Sequence, residues 1–121
     1  MSQEPNRVPI WVGHFREFTD DPVEQRLRPS IREYIYDTPQ ESESRAVAYL
    51  QSASTLGARS RVEFDVLDPT SRIPLAVFTY TDTVYYWESY LAYYVEKYHL
   101  RLPAEFIRHM ALMNWNPLKH D

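Results

Sequence analysis

Residues Tyr80–Tyr98 read YTDTVYYWESYLAYYVEKY, and this stretch decides the fold. Its first half is a hairpin return. Thr81-Asp82-Thr83 has turn composition, and Val84 to Trp87 is β-branched and aromatic, the mark of a strand. From Glu88 the period changes. Leu91, Tyr94, Val95 and Tyr98 recur at i, i+3, i+4 and i+7, one apolar stripe of a helix packed on a sheet. Seven of the chain's ten tyrosines lie in these nineteen positions.

Upstream, Ile73 to Tyr80 is a nearly continuous apolar run and reads as a central strand. Val62, Phe64 and Val66 alternate with Arg61, Glu63 and Asp65, a strand with its acidic residues on the exposed face. Asp68-Pro69-Thr70-Ser71 has the composition of the turn between these two strands. Before them, Thr38-Pro39-Gln40-Glu41 has the form of a capping box with Pro at the first helical position. The helix it predicts runs through Leu56, buries Ala46, Val47, Leu50 and Ala53, and ends at Gly57 as a left-handed cap. Asp20-Asp21-Pro22 opens a shorter helix to about Arg28, where Pro29 breaks the stripe Val23, Leu27, Ile31, Ile35. Residues 30–36 fit a helical turn or a strand equally. Val8 to Phe15 reads as a short strand, at an edge because of Pro9. Residues 1–7 are polar and expected to be disordered, and residues 8–121 are expected to form one domain. Downstream, Leu102-Pro103-Ala104-Glu105 starts a last helix with Phe106, Ile107, Met110 and Met113 on its apolar face. The expected fold is α+β: a small antiparallel meander of three or four strands with helices on one face.

Composition excludes much. The chain has 121 residues, a net charge of −4, no cysteine and two glycines. Without cysteine there is no disulfide, no thiolate metal site and no thiol catalysis. Two glycines leave no material for a phosphate-cradling loop. The acidic balance argues against a nucleic-acid binder, and Arg26, Arg28 and Arg32 interleave with acidic residues as a solvated mixed-charge face would. No run approaches 18 apolar residues and no leader pattern opens the chain, so a cytoplasmic protein that does not enter membranes is expected.

The block Thr81-Asp82-Thr83-Val84-Tyr85-Tyr86-Trp87, Leu91-Ala92-Tyr93-Tyr94-Val95, Tyr98-His99-Leu100 and Leu102-Pro103-Ala104-Glu105-Phe106 resembles a group of small bacterial proteins, mainly actinobacterial. Their wording is TDG-x-W-x-W, LAYYV, YH and LP-x-x-F, and no activity is assigned to the group. Arg45 to Leu56 and Asp65-Val66-Leu67-Asp68 resemble their VAYLRSG and DVLD segments. The resemblance covers roughly residues 38–110. The chain departs from it at Thr83 and Ala53, where the group has glycine, and at Tyr85, where it has tryptophan. β-branched Thr83 resists the positive φ that a tight Asp-Gly turn needs, so a longer or looser turn is expected. The resemblance implies a setting among toxin–immunity and regulatory genes.

Few side chains form a recognisable chemical constellation. His14, His99, His109 and His120 are scattered, and no pair has the spacing of two metal ligands on one helix. His99 follows a helix end, as a C-terminal capping residue would. His109 falls beside the apolar face of the last helix, as a half-exposed surface residue. Asp65 and Asp82 are placed to face each other across the meander, as paired carboxylates or as charges on an outer face. Asp82 also suits a turn residue that bonds its own backbone. The serines lack a nucleophile-elbow motif. No catalytic residue, metal or cofactor is expected.

The tyrosines remain. On the helix after Glu88, Tyr90, Tyr93 and Lys97 share a face more than about 90° from the core stripe. Either another element covers that face or it is open to a partner. An open aromatic face centred on Tyr86, Tyr90, Tyr93 and Lys97 points to a protein-binding module with a protein partner or a second copy, of immunity, antitoxin-like or regulatory type. On that reading Tyr90→Ala with Tyr93→Ala leaves folding intact. The alternative is a small-molecule-binding domain or small enzyme with a Tyr/Trp-lined pocket and Asp82 or His99 as polar anchor.

Overall fold

The computed structural model describes residues 10–59, 63–73 and 77–119. The expected disorder of residues 1–7 and His120 lie outside them, as do parts of the predicted strands at 61–66 and 73–80. Its elements are β1 (Ile10–Trp11), α1 (Pro22–Leu27), α2 (Glu43–Ser52), β2 (Ser54–Arg59), β3 (Phe64–Asp65), β4 (Asp68–Arg72), β5 (Val77–Thr81), β6 (Tyr85–Glu88), α3 (Leu91–Tyr98) and α4 (Ala104–Leu112), with single 3₁₀ turns at Arg16–Phe18 and Ile31–Glu33. The class is α+β, as expected. The main sheet runs β1-β6-β5-β2, and β3-β4 is a separate hairpin. The sheet is mixed rather than an antiparallel meander, because β1 joins β6 in parallel, Trp11 opposite Tyr86.

Trp87 of β6 centres the core. It is fully buried, and its indole N–H donates to the Leu50 carbonyl at 3.0 Å. Tyr49 of α2, Phe106 of α4 and Tyr80 of β5 surround its ring at centroid distances of 6.1, 5.5 and 6.1 Å. Alternation on a strand puts Tyr85 on the same side as Trp87, and Tyr85 meets Phe106 at 4.6 Å. That face of β6 therefore carries α2 and α4.

Three local predictions are displaced. The capping box at Thr38–Glu41 does not form. Leu102 N–H donates to Gln40 Oε1, Arg101 donates to the Thr38 carbonyl, and α2 begins at Glu43. A capping box does form at Ser30 and Glu33, around the second 3₁₀ turn. The helix predicted through Leu56 stops at Ser52, because Ser54–Arg59 pairs antiparallel with β5 instead. Ser and Thr at 52, 54 and 55 favour helix weakly, so the ladder with β5 wins. Gly57 takes φ +64 as foreseen, but at a bulge in β2, not at a helix end. The third is the turn expected at Asp68–Ser71, which is strand β4. The chain reverses at Val66-Leu67, because Asp65 Oδ1 accepts the Leu67 and Asp68 N–H groups at 2.7 and 3.2 Å.

The β5–β6 turn shows how the chain manages without the Asp-Gly step. Asp82 Oδ1 accepts the Val84 and Tyr85 N–H groups at 3.0 and 2.7 Å, and Thr83 is held at φ +81. Asp82 is thus the self-bonding turn residue. Gly13 also sits at positive φ, +83, with Leu91 Cδ1 only 2.8 Å from where a Cβ would stand. Thr83→Gly is expected to raise stability by about 0.5–1 kcal/mol, by relieving a strained φ at an exposed position. Gly13→Ala is expected to lower it by about 2 kcal/mol. Equilibrium urea unfolding of both variants checks the opposite signs.

Candidate functional site

The tyrosine face of α3 is not open. Tyr90 is 9% exposed, with Phe18 packed on it at 4.8 Å. Phe18 also covers Tyr94 at 5.4 Å, so the segment after β1 shields this side of the helix. Tyr93 is half-buried and donates its hydroxyl to Asp65 Oδ2 at 2.7 Å. Tyr98 donates to the same oxygen at 2.6 Å, and Lys97 Nζ lies 3.3 Å from it and 3.0 Å from the Tyr93 hydroxyl. Tyr94, buried in the stripe, accepts the Val66 N–H at 2.9 Å. Tyr86 lies apart from this group, on β6, with its ring 5.6 Å from Trp11. Of the helix face expected to meet a partner, Tyr90 lies under Phe18, while Tyr93 and Lys97 hold the β3–β4 hairpin.

The alternation at 61–66 predicts Asp65 on the outer face of a strand, but it is 0% exposed. The strand there is only two residues long, so alternation had no length over which to set the phase. The carboxylate turns inward because the hydroxyls of Tyr93 and Tyr98 meet it there. Burial pushes its pKa up, but the hydrogen bonds from Tyr98, Tyr93, the Leu67 N–H and Lys97 outweigh burial and hold it below the ordinary carboxylate value. The Tyr98 hydroxyl is pushed up to about 12, by burial first and then by its bond to Asp65.

Asp82 does not face Asp65. It is the centre of a second buried network, 0% exposed. Its Oδ2 accepts the Tyr49 hydroxyl at 2.5 Å and lies 3.1 Å from His109 Nε2. His109, expected to be half-exposed, keeps its side chain 17% exposed, with the Tyr85 ring 5.0 Å away. One carboxylate thereby joins the hairpin tip to α2 and α4. His99 is the C-cap of α3, at φ +53, as its position after the helix suggested. Its Nδ1 stands 3.1 Å from both carboxylate oxygens of Glu43. Asp82 and His99, the two alternative polar anchors, each hold structural elements together.

A concavity also opens at β1, in addition to smaller hollows lined in part by Tyr93 and by Tyr98. A cleft of about 590 Å³ opens between the β1 segment, residues 34–36 and the stretch Leu100–Glu105, with Leu91 in its lining. This is within the usual range of roughly 300–1,000 Å³ for ligand sites. Two stacked pairs border it. His14 lies on Trp11 at 4.6 Å and 20° between planes, and the Arg101 guanidinium lies 4.1 Å over the ring of Tyr36. Burial, and secondarily the Arg28 charge, hold the pKa of His14 below its ordinary value against the pull of Glu24. The walls are fixed by backbone bonds, Arg101 N–H to the Tyr34 carbonyl at 2.8 Å and Tyr36 N–H to the Tyr98 carbonyl at 3.2 Å. Gly13 brings the backbone close to Leu91, where a side chain would not fit. Sequence reasoning missed this site, because its residues are far apart in the chain and follow no motif. The aromatics outside the tyrosine block, Trp11, Tyr34 and Tyr36, were the available signal.

Among the described residues no group of three or more His, Asp or Glu side chains is placed to hold a metal ion. No helix among them is long and apolar enough to cross a membrane. Comparison of the chain with protein-family models, curated proteins and solved structures found no match.

Tyr90→Ala is expected to cost about 3 kcal/mol in urea unfolding, since it opens a cavity under Phe18. Stability held by Asp65 is present above the unfolded carboxylate value, about 3.9, and lost as pH falls through its lower folded value. Asp65→Asn is therefore expected to be less stable than the native chain at pH 7 and to lose less on going to pH 3. Parallel unfolding curves at the two pH values test this.

Proposed function

We propose that this protein is a cytosolic ligand-binding domain whose site is the Trp11–Tyr34–Tyr36–Arg101 cleft, taking a small molecule with a flat aromatic ring. The carrying observation is the cleft itself: aromatic walls, a few polar groups and backbone-fixed borders. The burial of Tyr90 weakens the rival reading, because the aromatic face it relied on is covered within the chain. Trp11 and Tyr36 keep enough exposure to receive a ring, and Tyr86 supports Trp11 from the neighbouring strand.

A protein-binding reading, with an immunity, antitoxin-like or regulatory role or a second copy as partner, rests on a different observation. Helix α1 buries none of its residues, and its apolar Val23 and Leu27 are 54% and 75% exposed. Sedimentation of the native chain and of a Val23→Ser, Leu27→Ser variant separates the readings for self-association.

The main reading predicts that one or more members of a panel of small aromatic compounds raise the melting temperature by several degrees at millimolar concentration. Trp11→Ala is expected to abolish that shift with little loss of fold, since Trp11 is not a core residue. A panel without any shift on the native chain overturns the reading.

A further inference from the structure

Resting on the cleft reading, we infer that the ligand carries a carboxylate beside its ring, and that Arg101 is the residue that reads it. Arg101 is held in place from three sides. Its Nη1 donates to the Thr38 carbonyl at 2.8 Å and to the His99 carbonyl at 3.3 Å, its backbone N–H is bonded to Tyr34, and its guanidinium lies over Tyr36. Both side-chain partners are neutral carbonyls. Among the described residues no carboxylate lies within ion-pair distance of Arg101, and its Nε and Nη2 have no hydrogen-bond partner. Among the described residues the close lysine or arginine pairs with a carboxylate are Lys97 with Asp65 and Arg28 with Glu24. A guanidinium has five donors in a fixed plane that matches a carboxylate, and here the plane is set before any ligand arrives. Glu105 is the acidic residue of the lining and is exposed, where solvent screens it. Trp11 and Tyr36, each stacked on one partner, stay 37% and 52% exposed and leave ring surface for the ring of the same molecule. An aromatic acid satisfies both features; an aromatic amide satisfies only the second.

The test is calorimetric titration of the full chain with two matched pairs, indole-3-acetate against indole-3-acetamide and phenylacetate against phenylacetamide. The expected result is that the acid of at least one pair binds tenfold or more tightly than its amide, and that this ratio falls as salt is raised. Arg101→Met is expected to bring the ratio below about threefold, and Arg101→Lys to restore only part of it, because a point charge lacks the fork. Should Arg101→Met fail to fold, the native acid-to-amide ratio and its salt dependence still decide. Equal binding of acid and amide overturns the inference and leaves the cleft reading standing. A ratio that survives in folded Arg101→Met overturns the role of Arg101. If neither pair binds while other aromatic compounds shift the melting temperature, the carboxylate is wrong. If nothing binds or shifts, the cleft reading fails with it.

Discussion

A carboxylate taken out of water loses several kcal/mol of hydration unless donors replace the solvent. Among the described residues this happens at Asp65 and Asp82, and the architecture depends on the replacement at Asp82. Two backbone N–H groups close the β5–β6 turn on one oxygen, and Tyr49 and His109 reach the other. The turn, α2 and α4 are tied at one buried point, beside the Trp87 core. Removing any one donor weakens the solvation of a charge where water cannot reach it.

Asp65 repeats the device on the other side of the chain, and explains the density of tyrosine. A β3–β4 hairpin of this size has too little apolar surface to stand alone. Its turn carboxylate is held by Tyr93, Tyr98 and Lys97, and its next N–H by Tyr94. Tyrosine suits the task because its ring packs as a core residue while its hydroxyl reaches a buried acceptor. The helix therefore packs its stripe on the body of the fold while the hydroxyls of Tyr93, Tyr94 and Tyr98 hold the hairpin. A phenylalanine-rich helix would supply the first and not the second.

With those hydroxyls turned inward, a separate cleft opens beside β1. Its aromatic residues come from outside the tyrosine block, and Arg101 enters it from the link between α3 and α4. The parallel β1–β6 pairing places Trp11 against Tyr86 and so forms one wall. The bonds between residues 34–36 and 98–101 form another.

The amino-acid sequence by itself determined the α+β class, α1 with its Asp21 cap, the β5–β6 hairpin, the stripes of α3 and α4, and the positive φ at Gly57. These follow from local chemistry: side-chain periodicity, capping oxygens and the conformational freedom of glycine. Only the tertiary structure decided where α2 begins and ends, that the sheet is mixed, that Asp65 points inward, and that Tyr90 is covered. Each of these turns on a partner distant in the chain: β5 for Ser54–Arg59, Leu102 for Gln40, Tyr98 for Asp65, Phe18 for Tyr90. Local propensities differ by a few tenths of a kcal/mol per residue, whereas a buried hydrogen bond or ring contact is worth about 1 kcal/mol or more. Where the two compete, the distant partner wins, and its location is not written in the neighbouring residues.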